Sequence, residues 1–193
     1  MKRVPVVPTA IVTLAVALMI ALGLWQLLIR LPLKEAQLAQ LAANPRLPPV
    51  AFPAVPDERL LFRRSTLACP RPGATKLAGA GAAGFRAVVD CGDGRLVGLG
   101  TTHDPFARVA WGGGTVGGHI SHAPDRRPLI ASLWDRTAKP LMLVADAPPP
   151  GLARNTPPDI SAVPNNHLAY AVQWFLFAAM ATVIYVLALR RRT

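Results

Sequence analysis

Three side chains with useful chemistry recur along one stretch of this sequence. His167, Tyr170 and Trp174 fall at i, i+3 and i+7, so a helix there would carry an imidazole, a phenol and an indole on one face. A second group, Trp25 and Gln26, stands about one turn before Arg30 at the end of another apolar stretch, ~6 Å below its polar boundary. Among them His167 offers a ring nitrogen that can ligate a metal or haem iron. The plainer reading makes the aromatics a belt at a membrane–water boundary and His167 an interfacial anchor. Both readings stand on position alone. The belt accounts for Tyr170 and Trp174, but not for Gln26 and Gln173, because an amide below the boundary must find a partner in protein or ligand.

Other candidates are less specific. His119 and His122 are spaced i, i+3, with His103 nearby, and no CxxC accompanies them. On a strand that spacing sends the two rings to opposite faces, which disfavours a shared metal ion. Cys69 and Cys91 are the two cysteines, and they read either as a disulfide in an oxidising compartment or as two buried thiols. There is no GxSxG, GxxxxGK[ST] or HExxH, and no GxGxxG entering a helix. The expectation is therefore a protein that is not an enzyme.

The elements that would position these groups are dominated by two apolar runs. Val4 to Ile29 carries no charge, and neither does Leu168 to Leu189. Each exceeds the ~20 residues needed to span ~30 Å of hydrocarbon as a helix. A cleaved signal peptide is the rival for the first run, but a run continuing through Trp25 to Ile29 outlasts the usual apolar core of such peptides. Lys2, Arg3 and Arg190 to Arg192 flank the outer ends, and such residues stay cytoplasmic. The organisation expected is a cytoplasmic start (1–8), a first transmembrane helix (9–29), a juxtamembrane helix (30–45), a periplasmic β domain (46–147), a Pro-rich return linker (148–166), a second transmembrane helix (167–189) and a cytoplasmic tail (190–193). The location expected is a bacterial inner membrane with both termini cytoplasmic.

Between the runs, prolines at 45, 48, 49, 53 and 56 enforce extended chain. Short strands are then expected at Leu60 to Cys69, Phe85 to Asp90, Leu96 to Gly100, Thr115 to Ser121 and Pro140 to Ala145, separated by Gly- and Pro-rich turns. The fold class expected is a membrane α+β protein, in which two transmembrane helices flank a small antiparallel all-β domain outside the cytoplasm. The formal charge of +11 is not concentrated into a basic patch, and no aromatics are interleaved with the arginines, which argues against a nucleic-acid partner. Membrane lipid is the partner that the apolar runs imply.

Leu22-Gly23-Leu24-Trp25-Gln26-Leu27 and Asn165-Asn166-His167-Leu168-Ala169-Tyr170-Ala171-Val172-Gln173-Trp174-Phe175 resemble the two signature segments of the Surfeit locus 1 family of cytochrome c oxidase assembly factors. The resemblance implies a non-catalytic accessory factor that assists haem a insertion into oxidase subunit I and meets the haem a synthesis machinery. It makes His167 the candidate for haem contact, with Trp25, Gln26, Tyr170 and Trp174 as the other matched positions. Two departures mark a divergent member. Arg30 comes about one residue later than the family pattern, and Leu96-Val97-Gly98-Leu99-Gly100 replaces a Val-Asn-Arg-Gly-Trp-like strand end. The alternatives are an envelope scaffold that docks without cofactor, and an extracytoplasmic metal carrier using His119 and His122.

Overall fold

The structure is a computed structural model that describes residues 5–92, 94–124, 134 and 137–191. Ile130 to Asp135, whose sequence reads equally as one helical turn or as a strand, falls almost entirely outside those residues. The chain forms two compact units, Met1–Leu38 with Ser161–Thr193, and Ala39–Ile160.

The first unit is a pair of helices, α1 (Val6–Trp25) and α3 (His167–Arg190), both long and apolar enough to cross a membrane. Their outward faces leave large apolar side chains such as Leu14, Leu18, Leu176 and Ile184 exposed, which is what lipid-facing helices require. Between them the buried residues are small: Gly23 on α1, and Ala171 and Ala178 on α3. Small residues let two backbones approach closely where water supplies no drive to associate. Beyond α1 the chain makes one π-helical segment, Gln26–Arg30, then continues as α2 (Leu31–Ala43). Pro32 gives the physical reason for the π segment. Its ring lacks the N–H that would bond the Leu28 carbonyl and would collide with that carbonyl in a regular α-turn. Opening the turn relieves the collision, and the Leu31 N–H bonds the Gln26 carbonyl instead.

The second unit is built on one sheet of seven strands: β1 (Val50–Ala51), β2 (Arg64–Cys69), β3 (Lys76–Gly79), β4 (Phe85–Asp90), β5 (Leu96–Thr102), β6 (Gly114–His122) and β7 (Leu141–Ala145). Their spatial order is β1-β2-β6-β7-β5-β4-β3. The all-antiparallel expectation is corrected here. The sheet is mixed, because β1 pairs parallel to β2 and β5 pairs parallel to β7. The cause lies in β7, whose five residues are all buried. Leu-Met-Leu-Val-Ala has no polar face to turn outward, so it takes the centre of the sheet between β6 and β5.

Three strands separate β2 from β4 in the sheet order, yet Cys69 on β2 and Cys91 just after β4 form a disulfide with their Cα atoms 4.9 Å apart. The sheet therefore curls, and its inner face closes on Leu67, Ala87, Val89, Val97, Leu99 and Leu143. Of the two readings of the cysteines, the structure takes the disulfide.

The end of α2 and the Pro-rich segments are fastened to this sheet. Leu41 packs with Leu61, Ile120 and Leu141. The buried Asn44 donates its Nδ2 protons to the carbonyls of Arg59 at 2.7 Å and Leu61 at 2.8 Å. On the far side, Thr101 and Ala153 exchange backbone hydrogen bonds of 2.9 and 2.8 Å. Asn155 Nδ2 donates to the carbonyls of Gly98 and Ala145, at the point where the β5–β7 pairing ends, and its Oδ1 accepts from Arg86 Nε at 3.1 Å. One amide side chain thus satisfies the carbonyls that two diverging strands leave open.

The disulfide spans a sequence separation of 22 residues. Replacing Cys69 and Cys91 together by alanine should lower the unfolding free energy by ~3 kcal/mol, from the loop entropy restored to the unfolded chain. Denaturant unfolding of the full-length protein, read by fluorescence, checks this; an unchanged midpoint would refute it.

Candidate functional site

The first unit brings two of the sequence-selected residues into direct contact. Gln26 Oε1 and His167 Nδ1 lie 2.8 Å apart and are separated by 141 positions in sequence. Gln26 is the first residue of the π-helical segment and His167 the first residue of α3, so two helix features converge on one hydrogen bond. Both side chains are half-buried. An amide oxygen only accepts, so in this arrangement the imidazole donates from Nδ1. A neutral ring carries one N–H, which leaves Nε2 as a bare lone pair. Among the described residues no hydrogen bond engages His167 Nε2. The chemistry of that atom is ligation of a metal or haem iron, or acceptance of one proton.

One turn below, Gly23 has its backbone against the Phe175 ring. A Cβ at this position would stand 2.7 Å from Phe175 Cε1, so the absence of a side chain is what admits the ring. His167 and Ala171 are one turn apart on the α3 face that meets α1, and Ala178 continues it. Gly23 to Gln26 and Asn165 to Phe175 therefore lie together, as contacting parts of one helix pair.

The other sequence-selected residues surround this contact without sharing it. The Trp25 ring carries the Arg30 guanidinium over it, with 5.5 Å from the carbon to the ring centroid. This is a cation–π contact that ties the ends of the π segment together. Trp174 meets Phe177 edge to face, with centroids 6.2 Å apart. Tyr170 and Trp25 stay exposed, each with more than two-fifths of its surface open. Sequence reasoning passed over two features. One is the π turn, whose signal was Pro32 six residues after Gln26. The other is a second polar contact toward the opposite ends of the helices. There Thr9 Oγ1 donates to the Pro5 carbonyl at 2.7 Å and accepts from the Tyr185 hydroxyl.

His119 and His122, the candidates for a metal carrier, lie in the second unit on successive faces of β6. His119 is in register with Arg64 and Val144, and His122 with Leu141. Nε2 of His122 stands 3.5 Å from a Glu58 carboxylate oxygen, and among the described residues no group of three metal-ligating side chains gathers. Burial holds the His119 imidazole below its usual range; Arg86 and Arg64 add to this while Asp146 opposes it.

Residues 104–179, less than half of the chain, match the model of the SURF1 family. That span contains His167, Tyr170 and Trp174 and ends before Met180; Trp25 and Gln26 lie outside it. Proteins of this family are generally cytochrome c oxidase assembly factors rather than catalysts. No curated protein and no solved structure matches the chain.

Two outcomes test this geometry. Gly23→Leu should force the Phe175 ring aside and destabilise the helix pair by about 1–3 kcal/mol; unfolding in mixed detergent micelles measures it, and wild-type stability would contradict the packing. For His119, the native ring binds its proton less readily than the unfolded one. The resulting stability is complete above the unfolded value near ~6.5 and is lost as pH falls through the depressed native value. The thermal midpoint should therefore drop on acidification below pH ~6.5, and His119→Gln should flatten that slope.

Proposed function

We propose, from the match to the SURF1 family and the Gln26–His167 contact, that this chain is a membrane-anchored accessory factor for cytochrome c oxidase assembly, assisting haem a insertion into subunit I. The supporting observation is the hydrogen bond of 2.8 Å at His167 Nδ1, which leaves the other ring nitrogen available beside an apolar helix surface. The residues fit a haem. The donor is an imidazole, a side chain that serves as a haem ligand, and Trp25 and Tyr170 present exposed flat rings on the same helix pair. Haem a, if bound, would supply an iron that the His167 imidazole could ligate.

The chain's own residues do the rest. His167 would hold the haem iron through Nε2, while Gln26 ties the ring's Nδ1 to α1. Trp174, braced against Phe177, walls the same helix. A single histidine ligand on a helix pair would suit transient holding and release to a client, rather than permanent retention. In this reading both termini are cytoplasmic and the sheet unit is periplasmic. The chain's partners in this reading are subunit I and the haem a synthesis machinery.

The test is purification in mild detergent from cells that make haem a, comparing wild type with His167→Ala by absorbance. Wild type should carry a haem band, and the variant should lose it by an order of magnitude or more, as expected for removal of a ligand. Haem-free wild type, together with normal oxidase haem content after deletion of the gene, would sink the proposal.

A further inference from the structure

We infer that Gln26 is a positioning residue, which sets His167 in the Nδ1–H tautomer and so presents Nε2 as the ring's one free base. The inference rests on the proposed function only for what occupies Nε2; the tautomer itself follows from the hydrogen bond.

Gln26 Oε1 faces His167 Nδ1 at 2.8 Å, and a carbonyl oxygen cannot donate. With the amide oxygen so placed, the imidazole donates from Nδ1. Three features hold the amide in place. The π turn begins at Gln26 itself, whose carbonyl takes the Leu31 N–H. That wider turn is imposed by Pro32, so it is built into the sequence rather than dependent on an occupant. Gly23, three residues earlier, sits against the Phe175 ring and sets how closely α1 and α3 approach. Next to Gln26, the Trp25 ring is engaged by Arg30 across the same opened turn.

A partner at the remote nitrogen does two things for a ligand histidine. It fixes the ring about its bond to the chain, and it raises the basicity of the nitrogen that ligates. Carboxylates and backbone carbonyls commonly fill this place. A neutral side-chain amide fills it without adding a charge to an apolar helix pair. The price of relying on an amide is that rotating it by half a turn would put an N–H against Nδ1 and reverse the tautomer.

The experiment uses full-length protein, labelled with nitrogen-15 in histidine, in lipid nanodiscs at pH 8, where a free imidazole is neutral. His167 is assigned by loss of its signals in His167→Gln. Long-range proton–nitrogen correlation should show a protonated Nδ1 and a bare Nε2 in wild type. Gln26→Glu keeps an acceptor at the same place and should preserve that pattern. Gln26→Leu removes the acceptor and should shift the population toward Nε2–H.

Titration with ferric protoporphyrin IX gives the second readout. Affinity should fall about 10–100-fold in Gln26→Leu and stay near wild type in Gln26→Glu. A wild-type spectrum with Nε2 protonated, or a Gln26→Leu spectrum identical to wild type, overturns the inference. If wild type shows the expected tautomer but binds no porphyrin, the haem reading falls while the positioning role of Gln26 stands.

Discussion

A polar side chain on an apolar helix has to find its hydrogen-bond partner on protein, and much of the helix pair follows from that constraint. Gln26 and His167 satisfy each other across the pair. For them to meet, α1 and α3 must approach closely, and this is why Gly23, Ala171 and Ala178 are the residues buried between them. The approach in turn brings the Phe175 ring onto the Gly23 backbone. Size and polarity are coupled here: a larger residue at 23 would separate the very groups whose bond the close approach allows.

The sheet unit solves a different problem. A modest domain must close its core with few residues. The central strand β7 is apolar throughout, β5 lies parallel to it, and curling of the sheet lets strands distant in the order share one cluster around Leu67, Val89 and Leu143. The disulfide joins β2 to the end of β4 across that curl. Asn44 and Asn155 work at the margins, each using an amide to satisfy carbonyls where the chain enters or leaves the sheet.

Much of this was legible in the sequence, for reasons that can be named. The apolar helices follow from run length, and β4, from Phe85 to Asp90, is where its pattern of β-branched and apolar residues places it. The short strands β1 and β3 were missed: Val50–Ala51 lies among prolines, and Lys76–Gly79 is rich in alanine and glycine. Strand direction was misread because turn residues suggest hairpins, whereas pairing of β5 with β7 depends on which strand is buried on both faces. Gln26 stood out in the sequence as an amide needing a partner. That the partner is His167 depends on how α1 and α3 are rotated and staggered against each other, which periodicity alone does not reveal.

The second polar contact, Thr9 with Tyr185, changes what the first one means. His167 and Tyr185 lie 18 residues apart on α3, a whole five turns, so they project along the same line of that helix at levels ~27 Å apart. Each is latched to α1, one by Gln26 and the other by Thr9. A slip of a single residue, ~1.5 Å along the axis, would pull on both latches at once. The two rods are thus indexed at top and bottom, like a ruler pinned through two holes, and neither can slide or roll against the other without undoing both pins.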